Sequence, residues 1–132
     1  MAWVVDSCVL LDIQSSDINF GMASAICLAK YQSDGLAIAP VTYVELAPAF
    51  RGDRLIEEAF LERIGVQWLT TWTRADTETA HHLWADQVRQ KRSGHGNRRP
   101  VADVFIEAFA KRFQGLITRN PKHFSTVPVV VP

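Results

Sequence analysis

The chain has 132 residues, 48% of them hydrophobic, and its 14 basic and 14 acidic side chains cancel to a formal net charge of zero. That length buries a core without disulfides or a structural metal, and the charge balance excludes a whole-molecule field that would draw the protein onto nucleic acid. No apolar run approaches the roughly 18 residues of a bilayer span, and Cys8 and Cys27 lie in apolar stretches without CxxC spacing, as expected of a single domain over 1–132 in a reducing, cytoplasmic setting.

Residues 2–5 (AWVV) predict a short strand, and Ile18, Met22, Ile26 and Leu28 recur at helical spacing in a helix started by Ser16 or Asp17 and stopped by Gly35. LAIA at 36–39 predicts a second strand broken by Pro40, after which TYVELA reads as helix until Pro48 ends or kinks it. DRLIEEAFLERIG predicts an amphipathic helix capped by Asp53, with Gly65 past its end, and VQWLT a third strand. Thr73 opens a helix reaching to about Lys91, and SGHGNRRP at 93–100 is a loop closing on a proline suited to a first helical turn. A helix from Pro100 to about Gln114 follows, then LIT as a fourth strand and VPVVV as a fifth at the sheet edge. This alternation predicts an α/β domain: a three-layer α/β/α sandwich around a mostly parallel sheet of four to five strands. Ligands of such folds sit outside the carboxyl ends of the strands.

Three acids fall at that end: Asp6 after the first strand, Glu45 past the second, and Asp103 in the first turn of the helix after the loop. Each has a structural reading. Asp6 can cap the turn SCVLL, Glu45 stands at capping-box spacing from Thr42, and Asp103 is favoured by the helix dipole. Together they place like charges within reach of one another, which opposes folding unless a cation relieves it. Mg²⁺ or Mn²⁺ suits such an all-oxygen set and supports phosphodiester hydrolysis, so the constellation points to a nuclease.

VVDSCVLLDI, APVTYVELA, RRPVADVFIEAFA and LITRNPKHF occur in the order and approximate spacing of the PIN domain. The whole chain resembles its short stand-alone members, the VapC-type toxins. The resemblance implies a metal-dependent endoribonuclease that cuts single-stranded or loop RNA. Such toxins are usually homodimeric and paired with an antitoxin protein that blocks the active site. By position, Asp6, Glu45 and Asp103 match the family's catalytic, metal-binding acids. Ser7 matches a residue supporting the first acid, and Thr118 matches the threonine of the last motif.

The last motif reads TRNPKHF, offering Asn120 and His123 where many PIN domains carry a fourth acid. Asn120 is expected to orient a metal-bound water, and Glu107, four residues after Asp103, to lend a carboxylate at the rim or else to pair with Lys111 on the surface. Arg98, Arg99 and Arg119 are candidate RNA contacts, the first two in a stretch that serves equally as a solvated loop or an antitoxin seat. Trp68, Trp72, Trp84 and Phe60 read as core or dimer interface, and the adjacent His81 and His82 as without chemistry. A haloacid-dehalogenase-type phosphatase is excluded by Cys8, which stands where a second Asp is required. The competing class is a PIN-like module that binds RNA or an antitoxin without cutting.

Overall fold

The computed structural model describes residues 1–94 and 99–132. The elements in chain order are β1 (Trp3–Val5), α1 (Ser7–Gln14), α2 (Gly21–Tyr31), β2 (Leu36–Ala37), α3 (Pro40–Glu45), α4 (Arg54–Arg63), β3 (Val66–Gln67), α5 (Arg74–Arg92), α6 (Val101–Ala110), β4 (Gly115–Ile117) and β5 (Val129–Val130). The strands form one sheet in the order β3-β2-β1-β4-β5, parallel at every step, with the short β5 at the edge. Parallel neighbours need crossovers, and the helices supply most of them.

Side-chain alternation along the strands separates two cores. Val5, Leu36 and Ile117 face Val9 and Leu10 of α1, Leu28 of α2 and Leu61 of α4. Val4 and Leu116 face Ile106, Phe109 and Ala110 of α6, with Phe124 beside them. Both faces of the sheet are therefore covered, giving the three layers.

Local chemistry explains most boundaries. Asp53 caps α4 by accepting from the Leu55 and Ile56 amides, and Gly65 follows the helix at φ 76°. Thr73 caps α5 in a reciprocal box with Asp76. The stretch after β1, expected as a turn, is helix α1, and the helix expected from Ser16 or Asp17 begins only at Gly21. The apolar stripe also faces outward: Ile18, Met22 and Ile26 are 96%, 75% and 62% exposed. Gly21, Ser24 and Cys27 point inward with Leu28, because α2 packs so closely on α1 that a Cβ at Gly21 would lie 3.0 Å from the Asp12 carbonyl.

Gly115 opens β4 where a Cβ would stand 2.5 Å from the Pro128 carbonyl and 2.7 Å from the Trp3 ring. Gly115→Ala is expected to destabilise the protein by about 2 kcal/mol, as overpacking against backbone does. A urea midpoint unchanged from the parent would contradict that tight approach.

Candidate active site

Strand β1 delivers Asp6 to the carboxyl edge of the sheet, and its neighbour β4 delivers Thr118 beside it. The Asp6 amide donates to the Ile117 carbonyl at 2.9 Å, continuing the ladder one residue beyond β1. Asp6 is buried, and its carboxylate does two jobs. Oδ1 accepts from the Ser7 amide at 2.8 Å, capping α1, and Oδ2 accepts from the buried Thr118 hydroxyl at 2.6 Å. Thr118 in turn accepts from the Asn120 amide at 3.0 Å, which fixes its hydroxyl toward Asp6. Thr118 therefore contacts Asp6 directly. Ser7 contributes to Asp6 through its backbone; its hydroxyl lies beside Glu45, whose acidity it favours.

Burial pushes the Asp6 carboxyl above its usual range; the Thr118 bond opposes this and the charge of Asp103 adds to it. Burial likewise raises Glu45, with the charges of Asp6 and then Asp103 adding to the shift. The three acids thus share one field. Glu45 does not form the capping box its spacing suggested, because α3 is capped at Ala39 and Thr42 lies inside the helix. It ends α3, at the negative pole of the helix, where a carboxylate gains nothing locally. Among the described residues its Oε1 is buried without a hydrogen-bond partner. Asp103 occupies the first turn of α6, and its Oδ2 lies 2.7 Å from Nδ1 of His123.

These donors are hard oxygens, with an orphaned oxygen on Glu45, and so fit a divalent cation. Among the described residues, however, no three His, Cys, Asp or Glu side chains are grouped closely enough to form one ligand set. Thr118 draws on Asp6 and His123 on Asp103. Asn120 is exposed; its backbone amide donates to the Thr118 hydroxyl and its carbonyl accepts from the His123 amide at 3.0 Å.

Several expected roles change. Glu107 is fully buried and belongs to neither the rim nor a surface pair with Lys111: Oε1 accepts from Arg99 at 2.8 Å and Oε2 from the Thr126 amide at 3.0 Å. Arg99 is committed inward to Glu107, Gln87 and the His123 carbonyl, so it is not presented to a phosphate. Arg119 forks onto the buried Asp12 and stacks over the Phe20 ring at 4.3 Å, which withdraws it in the same way. Arg98 lies outside the described residues. Sequence reasoning missed Asp12, and also Cys8, whose thiol is pushed up to about 11 by burial and by Asp6 and donates to Asp6 Oδ2 at 3.5 Å. Trp72 stacks on Phe109, whereas Trp84 remains 40% exposed.

An all-parallel sheet in this order, covered on both faces and carrying acids at the ends of its strands, defines a PIN-like three-layer α/β/α fold. The chain is similar to a chain in the crystal structure of VapBC2 from Rickettsia felis bound to a DNA fragment from their promoter. The TM-score is 0.70 at 15% identity, covering 100% of this chain and 98% of that one. At that identity the likeness is one of fold. No family model matches the sequence, and no curated protein matches it.

Proposed function

We propose that the chain is a divalent-cation-dependent endoribonuclease cutting single-stranded or loop RNA, and the toxin of a toxin–antitoxin pair. The observation that carries this reading is the field shared by Asp6, Glu45 and Asp103, which Arg99 and Arg119 do not neutralise because both are committed to other acids. Asp6, Glu45 and Asp103 would hold Mg²⁺ or Mn²⁺, with Asn120 at the rim. Bound there, the cation supplies stabilisation of phosphoryl charge and activation of water. Thr118 and the Ser7 amide keep Asp6 in one rotamer, and burial of the acids keeps the local dielectric low.

An antitoxin partner is supported by the VapBC2 likeness and by the apolar side chains left exposed, Ile18 and Met22 before and in α2 and Leu55 and Ile56 in α4. The same surface supports a homodimer. No helix among the described residues is long and apolar enough to cross a membrane, in keeping with a cytoplasmic protein. Arg98 remains the candidate phosphate contact.

The test is incubation of the purified protein with pooled cellular RNA in Mn²⁺, reading new ends by sequencing beside EDTA and Asp103→Asn controls. Discrete ends that vanish in both controls are expected. Full cleavage by Asp103→Asn would refute the site. That no three His, Cys, Asp or Glu side chains form one ligand set among the described residues favours a second reading, a PIN-like module that binds RNA or an antitoxin without cutting. An unchanged thermal midpoint on adding Mn²⁺, with no new RNA ends, would establish that reading instead.

A further inference from the structure

We propose that Arg99 and Glu107 are positioning residues for Asp103, acting through His123; the consequence for cation binding rests on the reading of the site given above. The Arg99 and Glu107 side chains are 11% and 0% exposed and 2.8 Å apart. The guanidinium spends its donors on three elements at once: Gln87 Oε1 of α5 at 2.6 Å, Glu107 of α6, and the His123 carbonyl. Glu107 uses its second oxygen on the Thr126 amide, so both ends of the segment from His123 to Thr126 are bound to one buried ion pair.

A buried ion pair is a poor means of stabilising a helix face, since desolvation offsets most of the attraction and apolar side chains of equal volume serve as well. What it supplies is direction. The neighbouring inward positions of α6, Val104, Ile106 and Phe109, already provide apolar packing. His123 ends a 3₁₀ turn of only Pro121–His123 and has a side chain 36% exposed, so its own segment does little to hold the ring. The anchor does. A carboxylate only accepts, so Nδ1 of His123 carries the proton in its 2.7 Å bond to Asp103 Oδ2. That bond leaves Oδ1 of Asp103 for a cation, in the manner of an outer-shell partner that orients a ligand.

The test uses the full chain with Glu107→Gln, Arg99→Lys and His123→Asn, and two readouts. The first is the ¹⁵N signature of the His123 ring in cation-free buffer. The parent is expected to show a fixed Nδ1–H tautomer, and Glu107→Gln and Arg99→Lys a mixture. The second is Mn²⁺ affinity by calorimetry, expected to fall about 10- to 100-fold in each variant. Because the effect runs through His123, adding Glu107→Gln to His123→Asn should weaken Mn²⁺ no further. An unchanged ring tautomer, or losses that add, would overturn the proposal. A lower thermal midpoint with parental Mn²⁺ affinity would do so too, by making the pair merely structural. Arg99→Lys keeps the charge but not the planar fork, and covers the case in which Glu107→Gln fails to fold. If the parent binds no Mn²⁺ at all, the reading of the site fails, while the ring signature still decides the linkage.

Discussion

Asp6→Asn is expected to abolish cation-dependent cleavage and, in the same protein, to raise the thermal midpoint in EDTA. Asn retains the capping oxygen for the Ser7 amide, so the contact at 2.8 Å survives, while its Nδ2 in the place of Oδ2 donates to the Thr118 hydroxyl and reverses the direction of that bond. What disappears is a charge that is 4% exposed and faces a second carboxylate. Cleavage should fall at least about 100-fold, beyond the loss typical of removing an outer-shell partner, while stability rises by about 1 kcal/mol. The sign with pH follows. Asp6 and Glu45 titrate above their unfolded values of 3.8 and 4.5 in the folded chain, so folding takes up protons and their penalty is complete only above the folded pKa values. The advantage of Asp6→Asn should therefore shrink as pH falls toward 3.8. Thermal melts in EDTA across that range measure it, and an advantage independent of pH would contradict the assigned burial penalty.

Arg112→Met should have the largest effect on stability away from the acids. Arg112 donates to both oxygens of Asp76, at 2.7 and 2.8 Å, and to the Thr71 carbonyl at 2.8 Å, tying the end of α6 to the start of α5. Burial alone would raise Asp76, but the Arg112 bonds, the Thr73 amide and the Arg112 charge outweigh it and hold the carboxyl below its usual range. Removing the cation strands a carboxylate whose side chain is 2% exposed. We expect a loss of about 3 kcal/mol, the low end for a broken buried pair because Arg112 is itself partly exposed, or roughly 10 °C in midpoint. Because the folded pKa is depressed, this stability is present above 3.8 and is lost as pH falls through the folded value. Parent and variant should therefore converge in acid. Adding Asp76→Asn to Arg112→Met should recover part of the loss, and no recovery would point to lost packing instead.

What could be read from the sequence was what local chemistry decides. Asp53, Thr73 and Gly65 mark helix ends through bonds that span a few residues, and all three stand where expected. Asp6, Glu45 and Asp103 were legible as acids at strand and helix ends, and the structure gives them a common field. The partners of the arginines were not legible. Arg119 meets Asp12 across 107 positions and Arg112 meets Asp76 across 36, separations that no periodicity encodes. Glu107 misled for a related reason: spacing of four from Asp103 gives a shared helix side, but not which neighbour that side meets. The stripe at Ile18, Met22 and Ile26 misled because close helix packing was achieved with Gly21 and Ser24, whose small size carries no hydropathy signal.

The bond from Thr118 to Asp6 crosses 112 positions, because β4 inserts beside β1 only after the other helices and strands up to it have been made. During synthesis at roughly 5 to 20 residues per second, Asp6 emerges about 10 s before the hydroxyl that fixes it. Nascent chains released before residue 118 carry the first carboxylate without its clamp and without the strand that seats it. The first carboxylate is thus seated only once the segment carrying residue 118 has been made.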